Sequence, residues 1–306
     1  MRGVDARMNN LEYYKVFYYV AKCGSLTLAA EALSVSQPAV SQSLRQLEQW
    51  LGASLFVRSA KGVRLTREGE LLHSYVAKGY EQIVQGEKLL QQMMNLELGE
   101  IRIGASDMTL EFYLLPYLER FHEQYSGIKV RVTNAPTPET LHYLEEGKID
   151  FGVVSTPFPV DEGLCAHAVR EIEDIFVAGR RFMSYKYKTL DLQELETLPI
   201  ISLSGNTSTR TYMNHYLREN GVELHPEFEL ATSDMIVQFA LRNLGVGSVM
   251  KDFARKELES GKLFELRFNK RIPKRQFCVV TRPKNPLSAA AKNLLALLER
   301  EEETDD

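Results

Sequence analysis

Apolar residues recur at helical spacing through LEYYKVFYYVAKC, where Leu11, Tyr14, Phe17, Tyr18 and Ala21 share one face. They predict a first helix, ended by Gly24 and Ser25. A short second helix follows in TLAAEALSV, with Thr27 as its expected N-cap and three alanines that permit close packing. The third, in SVSQPAVSQSLRQLEQWLG, has Ser36 placed to cap it. Pro38 falls in its first turn, where a missing N–H loses no helical bond. Val40, Leu44, Leu47 and Leu51 lie in one arc and predict its buried face, while Pro38, Gln42, Arg45 and Gln49 lie opposite. Two alternating runs, Leu55–Arg58 and Val63–Thr66, flank Ser59-Ala60-Lys61-Gly62 and predict a β-hairpin, or wing.

Residues 67–95 contain no proline and read as one long helix. Leu72, Val76, Gly79, Ile83, Gly86, Leu90 and Met93 are spaced alternately by four and three, a heptad seam that predicts pairing with another helix. From Gly99 the pattern becomes strand, helix, strand, helix, strand: Glu100–Ala105, Leu110–Tyr125, Ile128–Asn134, Pro138–Gly147 and Ile149–Ser155. That order predicts a mainly parallel sheet with helices on its faces. Further strands are expected at Ile172–Ala178, Pro199–Ser204, Glu227–Leu230, Gly247–Val249 and Phe277–Thr281. Helices are expected at Thr209–Asn220, Ser233–Leu244 and Ser288–Glu303. About 200 residues here exceed the common size of one domain, which points to two α/β units with a cleft between them.

Composition changes this picture in one respect. Residues 1–67 hold nine Lys or Arg against four acids, a net +5, while the remainder holds 28 against 37, a net −9. A basic end on an acidic body implies different partners for the two parts. No apolar run reaches 18 residues, so no membrane span is expected, and MRGVDARMNN has no apolar stretch for a secretory signal. Three cysteines far apart form neither a disulfide framework nor a metal cluster, which fits a reducing cytoplasm. The six histidines show no metal-ligand spacing and no Gly-x-Ser-x-Gly partner, so neither catalytic residues nor a metal site is expected.

The outer face of the third helix offers chemistry that reads base edges. Glutamine pairs with adenine, arginine with guanine, and small residues meet a thymine methyl. Ser36, Gln37, Pro38, Ala39 and Ser41 form a small, uncharged tip that lets the backbone enter a major groove, with Gln42 and Arg45 facing outward. Thr27 and the start of the second helix are placed to hold a phosphate. Arg58, Lys61 and Arg64 on the wing supply sequence-independent attraction.

ALSVSQPAVSQSLRQLEQWLGASLFVRSAKGVRLTREG, with GSLTLAAEAL ahead of it, resembles the N-terminal domain of LysR-type transcriptional regulators. The Ser-Gln-Pro-Ala-Val-Ser, Leu-Phe-x-Arg and Leu-Thr-x-x-Gly marks are present in order. The match is specific over residues 9–95 and looser in GASDMTLEFYLLPYLERF, GKIDFGVVS and NTSTRTY; the first seven residues lie outside it, with Met8 a natural start. The resemblance implies a winged helix-turn-helix over 8–66, a dimerising linker helix over 67–95, and a periplasmic-binding-protein-like pair of α/β subdomains. Subdomain I would comprise 99–167 and 269–303, and subdomain II 168–268. The chain would cross near Cys165–Ala168 and return near Phe268–Pro273. It further implies double-stranded DNA as a partner, a dimer assembled into a tetramer, contact with RNA polymerase, and no cofactor beyond a small effector held in the cleft.

Ligands in α/β units gather at strand carboxyl ends, where helix N-termini offer free amides. By that rule and by family position, Ser106, Thr109, Thr137, Ser204, Asn206, Thr207 and Thr232 are expected to line the cleft, unless they serve as plain N-caps. Hydroxyls and helix N-termini favour a small anion such as a carboxylate. Asp107 and Met108 depart from the two threonines common in the family, and an acid there repels an anion unless Arg210 or Arg242 offsets it. A neutral or zwitterionic ligand is then the alternative. An enzyme, a solute-binding protein, or a regulator answering to a protein are the rival readings; the last predicts a collapsed, empty cleft.

Arg45→Ala is expected to reduce discrimination among DNA sequences by about 1–3 kcal/mol, and Lys61→Ala to weaken binding to all sequences and flatten the salt slope by about one. DNA titrations across salt concentrations measure both; the opposite pattern would exchange the two roles.

Overall fold

The computed structural model describes residues 11–59, 62–160, 162–205 and 207–299. The chain forms two compact units, residues 1–92 and 93–306. The first contains α1 (Leu11–Cys23), α2 (Leu26–Leu33), α3 (Gln37–Leu51), strands β1 (Phe56–Ser59) and β2 (Gly62–Leu65), and most of α4 (Arg67–Met94). Phe17, Val20, Ala29, Val40, Leu44, Leu47 and Leu55 form its core. Ser36 caps α3, accepting from the Ala39 amide at 3.4 Å, and Pro38 sits in the first turn as expected. Leu51 is instead 44% exposed at the helix end, so the buried face stops at Leu47. The cap of α2 also differs. Ser25 accepts from the Leu28 amide, and Thr27 lies inside the helix, exposed.

The wing pairs antiparallel, with Val57 opposite Arg64 and Arg58 opposite Val63. At Gly69, a β-carbon would stand 2.1 Å from the Leu55 carbonyl oxygen, so only glycine lets α4 pass this close to the wing. The heptad seam of α4 divides. Leu72 and Val76 pack against the unit's own core, whereas Ile83, Leu90 and Met93 are 52, 61 and 48% exposed.

The second unit begins with β3 (Gly99–Ala105) and a single turn, α5 (Asp107–Thr109). A π-helical turn over Leu110–Leu114 then leads into α6 (Leu115–Gln124), where one helix over 110–125 was expected. β4 (Ile128–Asn134), α7 (Thr137–Glu145) and β5 (Phe151–Ser155) follow. β6 (Cys165–Ile172) and β7 (Asp174–Ala178) come next, then β8 (Thr189–Leu190), β9 (Ile200–Leu203), α8 (Ser208–Glu219) and β10 (Phe228–Leu230). The chain continues through α9 (Ser233–Leu241), β11 (Val246–Met250), α10 (Lys251–Glu259), β12 (Phe264–Glu265), β13 (Arg267–Phe268), β14 (Arg275–Thr281) and α11 (Ala289–Glu299).

Two five-stranded sheets define two lobes, ordered β4-β3-β5-β14-β6 and β10-β9-β11-β7-β12. In each, three strands run parallel and the other two pair antiparallel. Both faces of each sheet are covered. Ile101, Ile103, Phe121, Phe151 and Leu294 pack on one side of the first and Leu144, Ile149 and Val154 on the other. The second has Phe176, Met213 and Leu217 on one side and Val177, Ile236 and Ala240 on the other.

The crossing between lobes lies later than the expected Cys165–Ala168. β6 still pairs with β14 in the first sheet, and the chain enters the second only at Asp174. That point coincides with a buried ion pair. Arg275, the first residue of the returning strand, donates to both oxygens of Asp174 at 2.5 and 2.9 Å. It also donates to the Thr156 carbonyl at 3.0 Å and the Thr209 hydroxyl at 3.1 Å, with its cation over the Tyr212 ring. Asp174 and Arg275 are 1 and 2% exposed.

Removing one partner of such a pair strands the other charge without solvent. Arg275→Met is therefore expected to destabilise the protein by about 3–5 kcal/mol, and Arg275→Met with Asp174→Leu by distinctly less. Chemical denaturation of the single and double variants measures the difference.

Candidate functional site

Two surfaces gather the residues that carry chemistry, one in each unit. In the first, the exposed side of α3 and the wing form a shallow concavity of about 610 Å³, lined by Gln37, Pro38, Ser41, Gln42, Arg45 and Arg58 among others. Local amphipathicity explains the placement: the apolar arc turns inward, so amides and one guanidinium must face water. Residues Ser34 to Ala39 are all exposed, and Gln37 donates to the Ser41 hydroxyl at 3.1 Å. Arg64 is exposed on the opposite strand of the wing, outside that lining. Lys61 lies outside the described residues.

In the second unit, a cavity of about 180 Å³ opens between the lobes. Of the residues expected at an effector site, Ser106, Thr137, Thr207 and Thr232 line it. Thr109 does not. Its side chain is fully buried and closes a capping box with Ser106, accepting from the Ser106 amide at 2.9 Å. Ser204 is half-buried, bonds through its amide to the Leu230 carbonyl, and lies outside the lining. Asn206 is outside the described residues. Thr207 is both wall and cap, accepting from the Arg210 amide at 3.2 Å. Thr232 makes no cap bond, which leaves its hydroxyl available to a ligand.

A hydroxyl pair that bridges the lobes lies outside the residues expected from the sequence. The Ser155 hydroxyl at the end of β5 lies 2.6 Å from the Ser208 hydroxyl at the start of α8. Thr137 supports the bridge, donating to Ser208 at 3.4 Å and accepting from the Ser155 amide at 3.4 Å. The next residue, Thr209, is a ligand of the buried Arg275. Two tyrosines fix the same helix to the returning segment: Tyr212 donates to the Pro273 carbonyl at 2.6 Å and Tyr216 to the Arg271 carbonyl at 3.0 Å. Burial, then the charge of Asp174, pushes the Tyr212 hydroxyl up to about 12, so it stays a donor at any physiological pH. The cavity wall and the crossing strands are thus one hydrogen-bonded assembly.

Charge in the cleft runs against the expected small anion. Asp107 and Asp234 line the cavity, and no Lys or Arg does among the described residues. Asn134 donates to Asp107. The two arginines expected to offset Asp107 are engaged elsewhere, Arg210 with Glu229 and the Leu203 carbonyl, Arg242 with Gln238. Burial, followed by the charges of Asp234 and Asp107, raises the Glu111 carboxyl above the usual carboxylate range. Glu111 lies outside the lining, but its shift registers the concentration of negative charge that Asp107 and Asp234 make here.

Comparison with known proteins agrees with this architecture. The family model described as "LysR substrate binding domain" matches residues 95–303, and "Bacterial regulatory helix-turn-helix protein, lysR family" matches residues 11–70. The chain belongs to the LysR family of DNA-binding transcriptional regulators. It is 28% identical to a probable RuBisCO transcriptional regulator of Cyanidioschyzon merolae over 287 residues, covering 92% of this chain and 94% of the relative. It is 26% identical to the RuBisCO operon transcriptional regulator of Allochromatium vinosum, covering 92 and 93%. These relatives are regulators of transcription rather than enzymes. A full-length OxyR variant from Pseudomonas aeruginosa has a similar fold, with a TM-score of 0.73 at 20% identity over 94% of this chain and 98% of that one. So does full-length CbnR complexed with its target DNA, with a TM-score of 0.64 at 18% identity over 95 and 99%. No helix among the described residues is long and apolar enough to cross a membrane.

A double-mutant cycle on Ser155→Ala and Ser208→Ala is expected to show a coupling of about 1 kcal/mol in unfolding free energy, the ordinary worth of one such bond. Additive effects would mean that the bridge is not made in solution.

Proposed function

We propose that this regulator reads DNA through α3 and alters its grip when a small molecule occupies the cleft between the two lobes. The observation that carries the reading is the cavity itself, walled from both lobes and bridged by Ser155 and Ser208. A molecule bound there interacts differently with open and closed lobes, and that difference in free energy is what an allosteric signal requires. Because Thr209 and Arg275 tie the wall to the crossing strands, a change at Ser208 reaches the relative placement of the lobes.

At the DNA-binding end, Ser36, Gln37, Pro38, Ala39, Ser41, Gln42 and Arg45 enter the major groove, while Arg58, Lys61, Arg64 and the start of α2 hold phosphates. Ser25 rather than Thr27 supplies the cap there, so Thr27 contributes an exposed hydroxyl. The exposed apolar half of α4 pairs with the same helix of a second copy, forming a dimer that assembles further into a tetramer. Double-stranded DNA and RNA polymerase place the protein in the cytoplasm. In the cleft, Ser106, Thr137, Thr207 and Thr232 contact the effector, joined by Ser155 and Ser208. The carboxylates in the lining favour a ligand that is neutral, zwitterionic or positive over the carboxylate expected from the hydroxyls alone.

Footprinting of the target promoter with and without a metabolite pool is expected to show a shifted protected length or bend. An unchanged footprint and bend across the pool would remove the effector-control reading.

A further inference from the structure

The cleft has a second chamber. A cavity of about 570 Å³ adjoins the smaller one, and both are lined by Thr137 and Ser208. The shared wall therefore holds Ser208, one side of the bridge between the lobes, and Thr137, which donates to it. Small-molecule sites run from about 300 to 1,000 Å³. The smaller chamber alone falls below that range and the larger one lies within it.

The two chambers differ in chemistry. Asp107 and Asp234 line only the smaller, and no described residue there is cationic. Leu141, Pro157, Phe158, Pro159 and Leu164 line only the larger, with Ser208 and Thr211 entering from α8. Among the described residues, the titratable groups in its lining are Glu145, His142 and Arg282. Arg282 donates to Glu145 at 2.9 Å, so the guanidinium and the carboxylate of this lining offset one another. An apolar body gains from the larger chamber by leaving water, and a positive head gains from the smaller.

We infer that the effector is an amphipathic ammonium compound, its head held by Asp107 and Asp234 and its apolar body seated against Leu141, Pro157 and Phe158. The inference rests on the cleft being the effector site. A ligand of this form replaces the contacts of Thr137 and Ser208 at the partition and so acts on the bond that joins the lobes. The raised Glu111 carboxyl agrees with it, since a bound cation relieves crowding among three acids. Two sources share this chemistry, a simple amine and an amino acid. In the second, the carboxylate takes the amides at the starts of α8 and α9, beside Ser208 and Thr232.

Calorimetry on the full-length protein with phenethylamine, L-phenylalanine, 3-phenylpropionate and ethylamine tests the assignment. Phenethylamine or phenylalanine is expected to bind more tightly than 3-phenylpropionate by about tenfold or more, the factor that 1.4 kcal/mol of charge interaction makes. Tighter binding of phenylalanine identifies the amino-acid source, and tighter or equal binding of phenethylamine the amine source. Asp234→Asn should erase the preference for the ammonium. Thr211→Trp, a substitution of an exposed residue that fills the larger chamber, should weaken phenethylamine about tenfold and leave ethylamine unchanged. Equal or tighter binding of 3-phenylpropionate, ethylamine matching phenethylamine, or no binding by any of the four overturns the inference. Footprinting with the metabolite pool separates the two failures: a response to anions alone sinks the ammonium head and keeps effector control, while no response to any compound sinks both.

Discussion

The second unit depends on one buried ion pair. Arg275 and Asp174 occupy the places where the chain leaves one sheet and returns to it, and neither has access to water. A buried charge is tolerable only when its partner and remaining donors are satisfied. Here the guanidinium finds both carboxylate oxygens, a carbonyl, a hydroxyl and an aromatic face. Those groups come from β7, from the loop after β5, and from α8, and they meet an arginine on β14. The geometry of the crossing and the position of the cavity wall are set together, because Thr209 serves the first and its neighbour Ser208 serves the second. A second charged tie between the lobes runs from Arg170 of β6 to Asp252 of α10 at 2.9 Å.

The first unit is organised by separation of chemistry along a single helix. Burial of Val40, Leu44 and Leu47 fixes which way α3 faces, and the remaining positions are then forced outward. Its exposed tip carries no charge, and among the described residues the cations of this surface are Arg45 on α3 and Arg58 and Arg64 on the wing. Gly69 lets α4 pass against Leu55 and holds the wing beside that surface.

Local features were the legible ones. The helical period of α1 and α3, the Ser36 cap and the alternating wing each follow from a few adjacent residues. The alternation of strands and helices announced parallel sheets because each element carries its own apolar pattern. Cap assignment was less readable. Ser25 and Thr27 are both hydroxyls two residues apart, and backbone dihedrals decide between them. The same ambiguity misplaced Thr109, whose partner is Ser106 rather than a ligand. β6 went unseen as a strand because it lies at a sheet edge and its side chains are largely exposed, so it has no apolar run. The Asp174–Arg275 and Ser155–Ser208 contacts join residues far apart in sequence, and no local pattern marks them.

The divided seam of α4 has a mechanical meaning. Leu72 and Val76 are set in the core of the first unit, so this end of the helix cannot turn without turning the reading surface. From Val76 to Met94 the helix extends about 27 Å at 1.5 Å per residue. It is therefore a lever arm with a clamped end and a free, apolar end. On the proposed pairing with a second copy, a tilt of the free end would be passed along the helix to α3. In such a pair the distance between the two α3 faces would be a matter of angle rather than of any change inside the first unit.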